Sequence, residues 1–70
     1  MKPEHWIERF AEQAGVPPPS IEDVEAILEL AGIAAHASER TAAPVACWIA
    51  GRTGRPLAEF KEMAEKIGEG

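Results

Sequence analysis

Seventy residues limit the fold to one domain, and its core must be economical because so short a chain buries only about 60% of the surface that it exposes when unfolded. An apolar share of 46% argues against disorder, and a net charge of −5 disfavours binding to nucleic acids or anionic membranes. The single cysteine excludes an intramolecular disulfide and a cysteine metal cluster. That cysteine usage fits a reducing compartment, and no apolar run approaches the roughly 20 residues of a membrane helix. We therefore expect one cytoplasmic domain over residues 1–70.

The first predicted helix covers residues 3–14. Pro3 suits its first turn, where a missing N–H costs nothing, and Gly15 can end it in the left-handed conformation. Residues at helical spacing predict one inward face, made of Trp6, Ile7, Phe10, Ala11 and Ala14. Prolines 17–19 then form a stiff, extended connector.

The second predicted helix covers residues 21–38, with Ser20 as an N-cap that accepts the backbone N–H of Asp23. It carries two apolar stripes. The main stripe is Val24, Ile27, Leu28, Ala31, Ala34, Ala35 and Ser38; the second is Ala26, Leu30, Ile33 and Ala37. A helix with two apolar sides is either central in a bundle or part of an oligomer interface.

We expect the second stripe, with Leu30, Ile33 and Ala37, to form the centre of a homodimer interface. The competing arrangement is a monomer in which the first and fourth helices clasp the second.

The third predicted helix covers residues 42–52, after a corner at residues 38–41. Thr41 is a candidate N-cap, and Pro44 fits the first turn. The inner stripe is predicted to be Ala42, Val45, Trp48 and Ile49, and the other side is Ala43, Ala46, Cys47 and Ala50. We expect this helix to be largely buried, with its tryptophan a core anchor or, alternatively, an interface anchor.

The fourth predicted helix covers residues 56–67 and opens with Pro56 at its first position. Its inward residues are Leu57, Phe60, Met63, Ala64 and Ile67. The four helices predict an all-α fold, a small four-helix bundle.

The polar residues of the corner are the first candidates for chemistry. His36 and Glu39 are three residues apart and can meet, but a catalytic zinc needs three protein ligands, so we expect no bound zinc or iron. We expect Glu39 or Arg40 to bond to another helix or to backbone. The alternative is a ligand or enzyme pocket lined by His36, Glu39 and Arg40.

Arg40, Arg52 and Arg55 could form a local patch for an anion such as a phosphate or nucleotide. The segment GRTGRP lacks the spacing and the Lys-Ser/Thr ending of a phosphate loop. Cys47 is interpreted as a small apolar residue of a buried helix rather than a nucleophile, because nothing near it would lower its pKa. The sequence therefore predicts no catalytic residue.

The central stretch carries a family resemblance. The pattern Ala-His-x-x-Glu-Arg-x-Ala-Ala-Pro at residues 35–44, followed by residues 48–51, resembles a family of small bacterial helical domains of unknown function. Trp6 and the acidic second helix fit the same pattern. Members of that family are stand-alone chains or C-terminal tails on the molybdenum cofactor guanylyltransferase, which attaches GMP to molybdopterin.

The resemblance implies a link to molybdopterin–guanine dinucleotide biosynthesis. The catalytic half of such a transferase begins with a glycine-rich nucleotide loop on an α/β sheet, and no such loop is present here. We therefore expect a non-catalytic accessory or protein-interaction domain without a cofactor, whose partner is a guanylyltransferase-like protein or a second copy of the chain.

Overall fold

The computed structural model describes residues 1–69, and within them it contains four α-helices and no β-strand. The helices are α1 (Pro3–Ala14), α2 (Ile21–Ala37), α3 (Ala42–Thr53) and α4 (Ala58–Glu69). The predicted all-α class, a small four-helix bundle, is confirmed. Gly70, the last residue of the predicted domain, lies outside the described residues. None of the described helices is long and apolar enough to cross a membrane.

The ends of α1 and the start of α2 follow their local sequence signals. Gly15 adopts a φ of 78° and its N–H donates to the Glu12 carbonyl, while the N–H of Val16 donates to the Ala11 carbonyl. The Asp23 N–H donates to the Ser20 hydroxyl at 3.0 Å. These bonds satisfy backbone groups that have no partner inside the helices.

The other helix boundaries differ from the prediction for local reasons. Thr41 precedes α3 but makes no side-chain capping bond, because its own backbone is already helical, with φ −68° and ψ −18°. Its predicted capping role is therefore wrong. α4 begins at Ala58 instead of Pro56, because the carbonyls of Pro56 and Leu57 accept bonds from N–H groups three residues on, which makes a tighter turn before the α-helix.

The core lies where α3 and α4 pack against α2. It contains one residue from each of these helices, Leu30, Ala50 and Phe60, all at least 93% buried. Ala64 of α4 and Leu57, just before it, pack partly buried against them, as predicted. Met63 and Ile67 were also predicted to face inward, and this is wrong, because they are 41% and 77% exposed. α1 contributes Ala11 as its buried residue, but Trp6 and Phe10, also predicted to face inward, are 56% and 62% exposed.

Helix α3 faces α2 with the side opposite to the one predicted. Its small residues turn inward: Ala50 is 2% exposed, and the Cys47 sulfur lies 3.8 Å from the Ile27 carbonyl oxygen of α2. Val45, Trp48 and Ile49 are 57%, 63% and 55% exposed. The predicted inner stripe and the largely buried helix are therefore wrong, because a row of small side chains lets two helix backbones approach more closely than a row of large ones.

The second stripe of α2 is used within one chain. Leu30 is 5% exposed and packs with Ala50 and Phe60, so it is unavailable to a second molecule and its predicted place in a dimer interface is wrong. Ile33 is half-buried and Ala37 is exposed. The homodimer itself stays a prediction.

An ion pair also ties α4 to α2. The Lys61 ammonium lies 2.6 Å from a carboxylate oxygen of Glu29, and both side chains are about half exposed. The hydrogen bond that Lys61 donates to Glu29 raises the pKa of Lys61, and the negative charge of that carboxylate raises it further. The pair adds orientation to a contact whose stability comes from the apolar core.

Candidate functional site

The corner between α2 and α3 leaves its polar side chains apart. His36, Glu39 and Arg40 are exposed, and within residues 1–69 none of their side chains makes a hydrogen bond or an ion pair. The Glu39 and Arg40 carbonyls instead accept the N–H groups of Ala42 and Ala43, which forms the turn. The predicted side-chain bond from the corner to another helix is therefore wrong for the described residues.

The three arginines of the predicted anion patch do not form one cluster. Arg40 precedes α3 and Arg52 lies in its last turn, so at least roughly 15 Å of helix separates them. The Arg52 guanidinium lies 4.9 Å from the centre of the Trp48 ring. The Arg55 guanidinium donates to a Glu59 carboxylate oxygen at 3.0 Å and lies 5.4 Å from the Phe60 ring centre.

A depression of about 430 Å³ lies where the end of α3 faces the start of α2. It is lined by Asp23, Ala50, Gly51, Gly54, Arg55, Pro56 and Leu57. Because Arg55 is already paired with Glu59, its charge is largely balanced before any ligand arrives. His36, Glu39 and Arg40 do not line this depression, so the geometry does not assemble the predicted pocket here.

Cys47 is placed for packing. It is half-buried on the inner side of α3, its thiol donates to the Ile27 carbonyl, and burial raises its pKa. A thiol with a raised pKa is a poor nucleophile at neutral pH, because the thiolate is the reactive form. Within the described part of the chain, no group of three His, Cys, Asp or Glu side chains could hold a metal ion.

One apolar surface feature is the outer face of α3, which we define as Val45, Trp48, Ile49 and Arg52. Their spacing of i, i+3, i+4 and i+7 places them in one stripe. Each of the three apolar side chains is more than half exposed. Full burial of one such side chain is worth about 1.5–3 kcal/mol, so covering this face releases substantial free energy. Sequence analysis assigned Val45, Trp48 and Ile49 to the inner stripe, with an interface role as the alternative for the tryptophan, and Arg52 to an anion patch.

A second feature, the α1–α2 groove, lies between the first two helices and has a volume of about 720 Å³. Its floor and walls are apolar, and carboxylates stand on both sides. The groove is lined by Pro3, Glu4, Ile7, Glu8, Pro18, Pro19, Ile21, Val24, Glu25 and Leu28. Sequence reasoning missed this groove, because its lining combines residues of two helices and of the connector between them.

Comparison with protein-family models gives one match. The model described as "Domain of unknown function (DUF6457)" matches residues 2–69. Comparisons with curated proteins and with solved structures returned no match.

Proposed function

The chain belongs to this family of domains of unknown function, DUF6457, and we propose that it is a non-catalytic protein-interaction domain in molybdopterin–guanine dinucleotide biosynthesis. Its partner in this proposal is a molybdenum cofactor guanylyltransferase, which binds the outer face of α3. The exposure of Val45, Trp48 and Ile49 is the observation that carries the interaction role. The resemblance of residues 35–51 to domains that accompany guanylyltransferases supports the choice of partner.

The composition of the outer face supports an interface role. Tryptophan and arginine are enriched among the residues that dominate binding energy, and here Arg52 lies over the Trp48 ring. This contact orients the guanidinium beside an apolar centre, where it can meet a carboxylate of the partner. Val45 and Ile49 flank the ring and can help to exclude water around it.

The distribution of the polar residues supports a non-catalytic role. Acid–base catalysis needs a base within hydrogen-bond reach of the proton it removes, and nucleophilic catalysis needs an activated nucleophile beside that base. Here His36, Glu39 and Arg40 are exposed at the corner, and the Cys47 thiol faces α2 instead of solvent. These groups do not converge on one depression.

The proposal is tested with a purified bacterial molybdenum cofactor guanylyltransferase, titrated with the domain by isothermal calorimetry. We expect a complex that Trp48→Ser weakens about thirtyfold, the effect of losing a binding hot spot. Ile67→Ser is the matched control, since Ile67 is 77% exposed on α4, and it should bind like the wild type. Circular dichroism checks that both variants are folded.

Two outcomes would contradict the proposal. One is no complex with the transferase; the other is equal binding by Trp48→Ser and the wild type. Sedimentation equilibrium of the domain alone tests the alternative partner, which is a second copy of this chain. A wild-type dimer that Trp48→Ser dissociates would assign the outer face to a second copy of this chain instead.

A further inference from the structure

The α1–α2 groove has the shape of a helix-binding site. Its α2 wall runs from Ile21 to Leu28, seven residues or about 10.5 Å along the helix axis. An amphipathic helix that binds in a groove uses anchors at i, i+3, i+4 and i+7, which span the same distance. Apolar anchors spread over that distance would contact Ile7, Val24 and Leu28.

One segment of the groove lining is stiff before any ligand binds. Pro18 and Pro19 belong to the connector between α1 and α2, and their rings fix the backbone φ angles. A stiff segment loses less conformational entropy on binding than a flexible one.

The charges around the groove specify the ligand. Glu4 and Glu8 stand on the α1 side and Glu25 on the α2 side, and all three are exposed. Within the described residues, none of these carboxylates takes part in an ion pair or a side-chain hydrogen bond. The nearby basic residues, Lys2 before α1 and Arg9 within it, do not line the groove. An apolar floor between unneutralised carboxylates suits a ligand that is apolar on one face and cationic at its edges.

We propose that the α1–α2 groove binds a basic amphipathic helix of a partner protein. Its apolar anchors lie on Ile7, Val24 and Leu28, and its lysine or arginine side chains pair with glutamates on the two sides of the groove. This site shares no residue with the outer face of α3, so it goes beyond the proposed function and does not depend on it.

The probe is a fluorescein-labelled peptide of about 14 residues, the length at which isolated helices become marginally stable. It carries leucine at i, i+3, i+4 and i+7 and lysine at the flanking positions. Two comparison peptides replace all leucines by serine or all lysines by glutamate. Fluorescence anisotropy measures binding to the wild-type domain. We expect the first peptide to bind, and each comparison peptide to bind at least about tenfold more weakly.

Charge reversal on the domain tests the groove itself. Glu8→Lys/Glu25→Lys changes one carboxylate on each wall and should weaken binding of the leucine–lysine peptide about tenfold. Glu12→Lys/Glu62→Lys makes the same change in net charge outside the groove and should have less than about a twofold effect. Leu28→Ser should also weaken binding, whereas Ile67→Ser should not.

Several results would overturn the proposal. Equal weakening by the two double variants would show general attraction to an acidic chain. Equal binding of the serine peptide would show that the apolar floor plays no part. Peptide-induced amide shifts at Val45, Trp48 and Ile49 instead of at groove residues would place the peptide on the outer face of α3. Dodecylammonium that shifts the groove amides while the peptide does not would identify a small amphiphile as the ligand.

Discussion

A helix in a small domain usually buries its large apolar side chains, but α3 buries its small ones and exposes the large ones. The inner face, Ala43, Ala46, Cys47 and Ala50, is small and packs against α2, while the outer face exposes its largest side chains. Ala50 of this inner face forms the core together with Leu30 of α2 and Phe60 of α4. The comparison teaches that in so short a chain helix spacing, more than side-chain hydrophobicity, decides which face is buried.

The largest expected effect comes from the residue against which the inner face packs. Leu30→Glu removes a core side chain and places a carboxylate at a position that is 5% exposed. We expect it to cost more than about 3 kcal/mol and to remove most of the stability of a domain this small. Urea unfolding followed by circular dichroism measures it. Leu28→Glu is the matched control on the same helix, because Leu28 is 65% exposed, and it should stay folded. A Leu30→Glu chain as stable as the wild type would show that Leu30 is not buried against the inner face of α3.

The next effect comes from adding atoms to the inner face. Ala50→Leu should lower the free energy of unfolding by about 1–3 kcal/mol, because Ala50 is 2% exposed and packs in the core with Leu30 and Phe60. Ile49→Ala removes atoms from the adjacent, outer position and should change the free energy by only about 0.5 kcal/mol. Thermal and chemical unfolding of both variants compare the two. If Ile49→Ala were the more destabilising change, the outer face would be part of the core.

The smallest expected effect concerns the reaction rate of the thiol on the inner face, Cys47, and not the stability of the fold. Cys47 should react with Ellman's reagent more slowly than a cysteine introduced by Ile49→Cys in a Cys47→Ala background. Burial raises the pKa of Cys47, so less thiolate is present at any given pH, and its rate should rise only at higher pH than that of the outer thiol. Rate–pH profiles of the two proteins measure this difference. Coincident profiles would show that the inner face is open to solvent.

Features encoded by a few neighbouring residues could be predicted from the sequence. Gly15 ends α1 in the left-handed conformation and the Ser20 hydroxyl caps α2, because each depends on bonds within one turn of chain. The all-α class follows from helical spacing across the whole chain. The burial of Phe60 was also predictable, because the opposite side of α4 is charged, but the predicted inward positions of Met63 and Ile67 are wrong.

Features that depend on contacts between helices could not be predicted in the same way. α3 is apolar nearly all round, so its periodicity does not say which side meets α2. The burial of Leu30 depends on that choice, since Ala50 covers it only when the small face is inward. The α1–α2 groove combines residues from two helices and a connector, and its glutamates carry no local signal of the apolar floor between them.

The exposure of both tryptophans has an optical consequence. Trp6 is 56% exposed and Trp48 is 63% exposed, and the chain has two tryptophans. Indole emits at longer wavelength in water than in an apolar setting, so the intrinsic fluorescence of this protein reports on its surface instead of its interior. Unfolding therefore changes the emission colour little, whereas a protein that covers the outer face of α3 shifts it to the blue. If the proposed complex forms, Trp48 fluorescence therefore reports partner binding without a label.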